Sequence, residues 1–315
     1  MKPRLVFMGT PEFAVPSLEA LSATGAYEIA LVITQPDRPA GRGRALRQSP
    51  IKQVAERLGL PVWTPENLRG EAAQARLRAV VPDVQVVVAY GEILRRAVLE
   101  IPQHGTLNVH ASLLPKYRGP APIAGALLAG ERETGVSIML LDPGMDTGPI
   151  LSQRAVPILP EDTAGTLHDR LAWIGAQLLT ATLPRWLAGE IAPQPQDQAA
   201  ATVTRMLSKE DGRLDWTQPA SVLANRVRAF NPWPGAFTLW NGKQLKILTA
   251  QAIQRPAILL PGTVAWIDEG VAVATGNGWL RLETVQLAGR RPQPIESFVH
   301  GYQEFVGSRL GEGEA

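Results

Sequence analysis

The chain has 315 residues, 45% hydrophobic and 19% charged, with a formal net charge of +2. That length allows two domains that each bury a core, and the balance is that of an ordinary soluble globular protein. With no cysteine, disulfides, thiolate zinc sites, iron–sulfur clusters and a cysteine nucleophile are excluded. Lack of cysteine suits the cytoplasm, and no apolar run reaches the roughly 18 residues of a membrane span, so no membrane partner is expected.

The first half alternates apolar β-branched runs with helical patterns, as βαβ units do, and predicts a Rossmann-like, mostly parallel sheet. Residues 4–8 read as a first buried strand, too short for a signal peptide. Thr10 and Pro11 open a turn, and Pro16 can start a helix to about Thr24, because proline fits a helix's first turn. Residues 27–34 form a second strand. Ser49-Pro50 repeats the cap-then-proline device before a helix over 51–58. The continuous apolar run 84–89 reads as a central parallel strand, followed by strands over 105–110 and 135–141.

Helical periodicity returns over 163–187. Residues 190–204 are polar, proline-punctuated and without a period, which reads as a linker between domains at 1–189 and 205–315. Beyond it come a helix over 220–229 and short strands over 245–250, 262–267, 271–274 and 279–287. Turns such as Asn241-Gly242 and Asn277-Gly278 separate them. That texture predicts a small β-barrel, with the oligonucleotide-binding (OB-like) type as one candidate.

Asn108 and His110 stand two apart at the end of a strand, so their side chains leave one face. Strand interiors disfavour Asn, and the carboxyl edge of an open α/β sheet is where ligands bind. Pro143, Gly144 and Gly148 shape a loop for close approach around Asp146, with Asp142 as its possible Asx partner. An amide donor, an imidazole and a carboxylate suit attack of an amine on an activated formyl carbon. Asn108 and His110 would stabilise the oxyanion, and Asp146 would fix the imidazole or take the amine proton. Ser112 lacks the Gly-x-Ser-x-Gly elbow of a hydrolase nucleophile and reads as a turn residue. His104, His110, His168 and His300 show no metal-ligand spacing, and Gly9-Thr10-Pro11-Glu12-Phe13 lacks the glycines of a dinucleotide fingerprint. No metal is expected. The loop 35–48 carries Arg38, Arg42, Arg44 and Arg47 against Asp37, leaves a strand's carboxyl end, and could hold a polyanion.

These residues resemble the folate-dependent formyltransferases: Asn108-Val109-His110, Ser112-Leu113-Leu114-Pro115, Tyr117-Arg118-Gly119, and Asp142 with Asp146-Thr147-Gly148. The resemblance implies formyl transfer from 10-formyltetrahydrofolate with Asn108, His110 and Asp146 as the catalytic set. It also implies folate contacts from Ser112, Leu113, Leu114 and Pro115, and a pterin held near Val87, Val88, Ala89, Tyr90 and Asp142. The segments 36–43 and 230–236 resemble the branch of the family that formylates methionine on initiator tRNA. In that branch the basic loop grips tRNA, here through Arg38, Arg42, Arg44 and Arg47, with Arg42 in the key position. Ala111 stands where proline or glycine commonly follows the histidine, and Arg290-Arg291 run directly into Pro292. Other acceptors for the same chemistry are a sugar-nucleotide amine, glycinamide ribonucleotide or water, and a non-catalytic tRNA-binding module is the reading from another class. No obligate protein partner is expected.

Overall fold

A computed structural model of the chain describes residues 1–40 and 45–311. The chain divides into two compact units, unit 1 over 1–122, 133–157 and 168–204, and unit 2 over 123–132, 158–167 and 205–315. Its first part runs through β1 (Arg4–Gly9), α1 (Val15–Thr24), β2 (Glu28–Ile33), β3 (Arg38–Ala40), β4 (Ala45–Arg47), α2 (Pro50–Arg57), β5 (Val62–Trp63) and α3 (Glu71–Val80). Then follow β6 (Val84–Val88), α4 (Arg96–Leu99), β7 (Thr106–His110), α5 (Pro122–Leu128), β8 (Glu133–Leu140), β9 (Ile150–Pro157) and α6 (Ala164–Leu187).

Unit 1 is built on a seven-stranded sheet in the order β5-β2-β1-β6-β7-β8-β9. The first five strands are parallel, and β8 and β9 close the edge antiparallel. This is the mostly parallel sheet that the apolar runs predict: every residue of β6 and β7 is buried, as strands covered on both faces must be. From β1 the chain turns to β2 and later returns to β6 on the other side of β1. The crevice outside the carboxyl ends of β1 and β6 is therefore the switch point where such sheets bind ligands. Thr10 spans it, its hydroxyl donating to the Tyr90 carbonyl at 2.8 Å. On the sheet's opposite face α6 lies close to β7: a Cβ on Gly175 would come within 2.8 Å of Val109 Cγ1. Ser49 caps α2 as its position implies, its Oγ accepting from Lys52 N at 3.0 Å.

Sequence pattern missed several elements. β5 has only two residues, and β9 is an edge strand with most positions open to solvent, so neither carries an apolar rhythm. α3 buries only Gln74 and Leu77, too little for a readable stripe.

Unit 2 holds α7 (Ala220–Ala229), β10 (Phe237–Trp240), β11 (Lys243–Ile253), β12 (Val264–Ile267), β13 (Gly270–Ala274), β14 (Trp279–Leu287), β15 (Gln293–Pro294) and α8 (Ile295–Gly301). Its antiparallel sheet runs β10-β11-β14-β13-β12, with β15 on β14. Register shifts near Ile247 and Thr249 let the two longest strands bend, so the sheet curls into a half-barrel, consistent with the small barrel expected. Trp240 packs edge-on against Phe298 and Phe305 in its core, with ring centroids 5.6 and 5.3 Å apart.

Residues 190–204 have the composition of a linker and the course of a strap on unit 1. Ile150 and Gln194 exchange two backbone hydrogen bonds of 2.8 Å. Further along, Arg118 N donates to Thr202 O at 2.9 Å and Thr204 N to Arg118 O at 2.7 Å. Proline removes donors and blocks a regular ladder, so the strap pairs in short pieces.

Candidate active site

Register places Asn108 beside Val87 on one neighbouring strand and Met139 on the other, with His110 opposite Ser137. Both side chains leave the same face at the carboxyl end of β7, and both are buried, Asn108 to 8% and His110 to 6% exposure. The Asn108 amide makes no hydrogen bond to protein among the described residues and is free to donate to a ligand.

The loop joining β8 to β9 brings in Asp146. Its Oδ2 lies 3.6 Å from His110 Nδ1 and accepts a hydrogen bond from Gly119 N at 2.7 Å. Across the ring, His110 Nε2 is 2.9 Å from the Tyr117 carbonyl. A carbonyl only accepts, so Nε2 carries a hydrogen and Nδ1 is the nitrogen turned to the carboxylate. Asp146 adopts a left-handed backbone with φ 53°, a conformation that Asp tolerates better than most residues. Gly148 permits the loop's close return: a Cβ there would sit 1.9 Å from Leu140 O. Asp142 is spent on the loop itself, accepting from Thr147 Oγ1 at 2.7 and 2.8 Å and from Gly144 N at 3.1 Å.

The turn after β7 is pinned from beneath. Ser112 is fully buried and its Oγ donates to Lys116 O at 2.6 Å, which commits the hydroxyl to the turn. Ser137 Oγ donates to Ser112 O at 2.6 Å and accepts from Leu114 N at 3.1 Å and Gln153 Nε2 at 2.8 Å. Leu114-Pro115 is a cis peptide, and Leu114 is buried while Leu113 and Pro115 are partly open. At the neighbouring switch point, Val87 and Val88 are buried, and Ala89 is exposed with a left-handed backbone at φ 47°. Tyr90 turns inward; burial pushes its phenol above the ordinary value, and Glu92 adds to the rise.

Of the basic-loop residues, Arg38 and Arg47 pair across the β3–β4 hairpin and are exposed, with Arg38 donating to Gln35 Oε1 at 3.1 Å. Arg42 and Arg44 lie outside the described residues. Among the described residues, no group of three or more His, Cys, Asp or Glu could hold a metal ion. Nor is any helix there long and apolar enough to cross a membrane.

Residues 3–183 match the family model described as formyl transferase, and residues 206–303 match that of the formyl transferase C-terminal domain. The chain belongs to the formyl transferase family. A methionyl-tRNA formyltransferase of Roseiflexus sp. (strain RS-1) is 55% identical over 99% of this chain and 96% of its own length. One from Chloroflexus aurantiacus (strain ATCC 29366 / DSM 635 / J-10-fl) is 52% identical over 98% of this chain and all of its own length. Among solved structures, an N-formyltransferase from Helicobacter canadensis in complex with folinic acid and dTDP-3-aminofucose superposes with a TM-score of 0.65 at 19% identity. That match covers 92% of this chain and 100% of that one, and speaks to the fold alone. Formyl donors in the family are folate-derived.

Gln196 went unread in the sequence, and Arg118 was read only as part of the Tyr117-Arg118-Gly119 segment, without a role. Arg118, only 5% exposed, donates from Nε and Nη2 to Gln196 Oε1 at 3.0 and 2.7 Å, and from Nη1 to Gln198 Oε1 at 2.9 Å. Gln196 Nε2 in turn donates to the carbonyls of Asp146 at 2.8 Å and Gly148 at 2.7 Å. The available signal was the scarcity of Gly and Ser in 190–204, unlike a flexible linker.

Proposed function

We propose that the protein transfers the formyl group of 10-formyltetrahydrofolate to the amino group of methionine esterified to initiator tRNA. The observation that carries the chemistry is the cluster at the carboxyl end of β7: a free Asn108 amide, and His110 with Asp146 Oδ2 at 3.6 Å from its Nδ1. Similarity over essentially the whole chain to methionyl-tRNA formyltransferases supports the acceptor. A reaction on charged tRNA belongs in the cytoplasm.

In this reading the neutral methionyl amine attacks the formyl carbon, forming the new C–N bond and a tetrahedral oxyanion. Asn108 donates to that oxygen, with the His110 ring beside it; one such donor is worth on the order of 10²–10³ in rate. The attacking nitrogen gives its extra proton to the Asp146–His110 pair. Collapse of the oxyanion then breaks the bond from carbon to N10 of the folate, and the departing nitrogen takes back the proton that the Asp146–His110 pair received. Ser112, Leu113, Leu114 and Pro115 would wall the folate. The backbone of Val87, Val88, Ala89 and Tyr90 would meet the pterin, with the Asp142 loop as its cover. Arg38, Arg42, Arg44 and Arg47 would hold the acceptor end, since arginine forks suit phosphates.

Incubation with 10-formyltetrahydrofolate and charged initiator methionyl-tRNA tests this, with elongator methionyl-tRNA and a sugar-nucleotide amine as controls. Formylation confined to the initiator is expected. Equal formylation of the sugar amine would overturn the assigned acceptor.

A further inference from the structure

We infer that Gln196, held by Arg118, is a positioning residue for the reaction: it sets the Asp146 carboxylate against His110 by clamping the chain that leaves Asp146, through the Asp146 and Gly148 carbonyls. The inference rests on the proposed catalytic role of Asp146. Gln196 is 7% exposed, and its amide is fully engaged. Both hydrogens of Nε2 go to one short stretch of chain, the carbonyls of Asp146 and Gly148, while Oε1 faces two nitrogens of one guanidinium.

Those two carbonyls fix the chain immediately after the point where the loop is hardest to hold. Asp146 sits at φ 53°, so a small rotation of either adjoining peptide swings the carboxylate away from the imidazole. The carboxylate's own anchor, Gly119 N at 2.7 Å, comes from the residue after Arg118. One short segment thus holds Asp146 twice, directly through Gly119 N and indirectly through Arg118 and Gln196. Arg118 is itself fixed by the strap, its backbone N and O bonded to Thr202 and Thr204.

A buried guanidinium with amide oxygens as its side-chain partners is an expensive way to tether a strap, since an apolar contact would do that without a desolvated charge. The arrangement makes sense as an orienting device. Arg118 accepts nothing, so Gln196 must present its oxygen to the arginine and its nitrogen to the loop. The amide cannot flip without losing both sets of bonds.

Gln196→Glu separates this role from plain tethering. A carboxylate still pairs with Arg118 but only accepts, so it loses both bonds to the loop carbonyls. We expect kcat to fall about 10–100-fold, as for an angstrom-scale misplacement, with KM for folate and tRNA changed less than about threefold and the thermal midpoint retained. The double variant Gln196→Glu/Asp146→Asn should be no slower than Asp146→Asn alone. Wild-type kcat in Gln196→Glu, or losses that multiply in the double variant, would overturn the inference. Should Gln196→Glu not fold, Gln196→Met is measured in the same way. If neither folds, Gln196 serves overall stability and the inference falls. Near-normal turnover in Asp146→Asn alone would instead sink the catalytic reading of Asp146 on which all of this rests.

Discussion

The end of β7 and the β3–β4 hairpin both follow a strand's carboxyl end in the same sheet, yet they are built in opposite ways. Around His110, polar groups are buried and most are bonded to one another: Asp146 to Gly119, Ser112 to Lys116, Ser137 to three partners. In the hairpin, Arg38 and Arg47 stand in solvent, and Asp37 is turned aside to Lys52 at 2.7 Å. The first arrangement fixes geometry, which bond-making requires to within a fraction of an ångström. The second offers exposed charge, which a polyanion needs and chemistry does not. Substitutions in the two regions should therefore fail differently, one in kcat and the other in salt-dependent kcat/KM.

The largest effects are expected at the buried cluster. His110→Ala should lower kcat by roughly 10²–10⁴, the usual weight of acid–base catalysis. Asn108→Ala should cost on the order of 10²–10³, the weight of one oxyanion donor. Both should leave the thermal midpoint nearly unchanged, since the Asn108 amide makes no protein hydrogen bond among the described residues and His110 makes one to a loop carbonyl. Single-turnover formylation with saturating folate measures these losses. Activity of His110→Ala within threefold of wild type, or about 0.65 kcal/mol in barrier, is too small for a catalytic group.

Gly148→Ala tests whether the loop's close return matters for both fold and rate. Its Cβ would lie 1.9 Å from the Leu140 carbonyl, which is backbone and cannot swing aside. Forced displacement should destabilise the protein by about 1–3 kcal/mol and lower kcat as well, because Gly148 O is also a partner of Gln196. Urea unfolding and steady-state rates read the two effects separately; a stable variant with full kcat would mean that the loop moves freely. Ser137→Ala should be milder in rate. It strips partners from Ser112 O, Leu114 N and Gln153 and should cost about 1–3 kcal/mol. Its signature is a raised KM for the folate with kcat spared, since the turn it supports would wall the folate and not the reacting carbon.

How much of this was legible follows the same division. Asn108 and His110 could be read because the strand's period places them together and because Asn is a poor strand residue. Asp146 could be read from the glycines around it, which mark a close approach. The parallel sheet followed from unbroken apolar runs. Gln196 could not be read, because its partner Arg118 is 78 residues away and its neighbourhood has a linker's composition. Long-range polar pairs leave no period in a sequence. The edge strand β9 was silent for a related reason: few of its residues are buried, so nothing forces an apolar alternation.

Arg38 and Arg47 carry the smallest expected effect and the sharpest contrast. If the hairpin binds acceptor phosphates through exposed charge, Arg38→Ala or Arg47→Ala removes about one counterion-releasing contact and leaves the folate site untouched. Each should lower kcat/KM for tRNA only a few-fold at low salt and shallow the slope of log kcat/KM against log salt by about 1. Arg38 has a competing commitment, the hydrogen bond to Gln35 at 3.1 Å, so Arg47→Ala should show the larger change in slope. The folate KM and the rate at saturating tRNA should stay at wild-type values in both. A drop in saturating kcat with an unchanged salt slope would place the hairpin among the geometry-fixing elements and erase the distinction between the two regions.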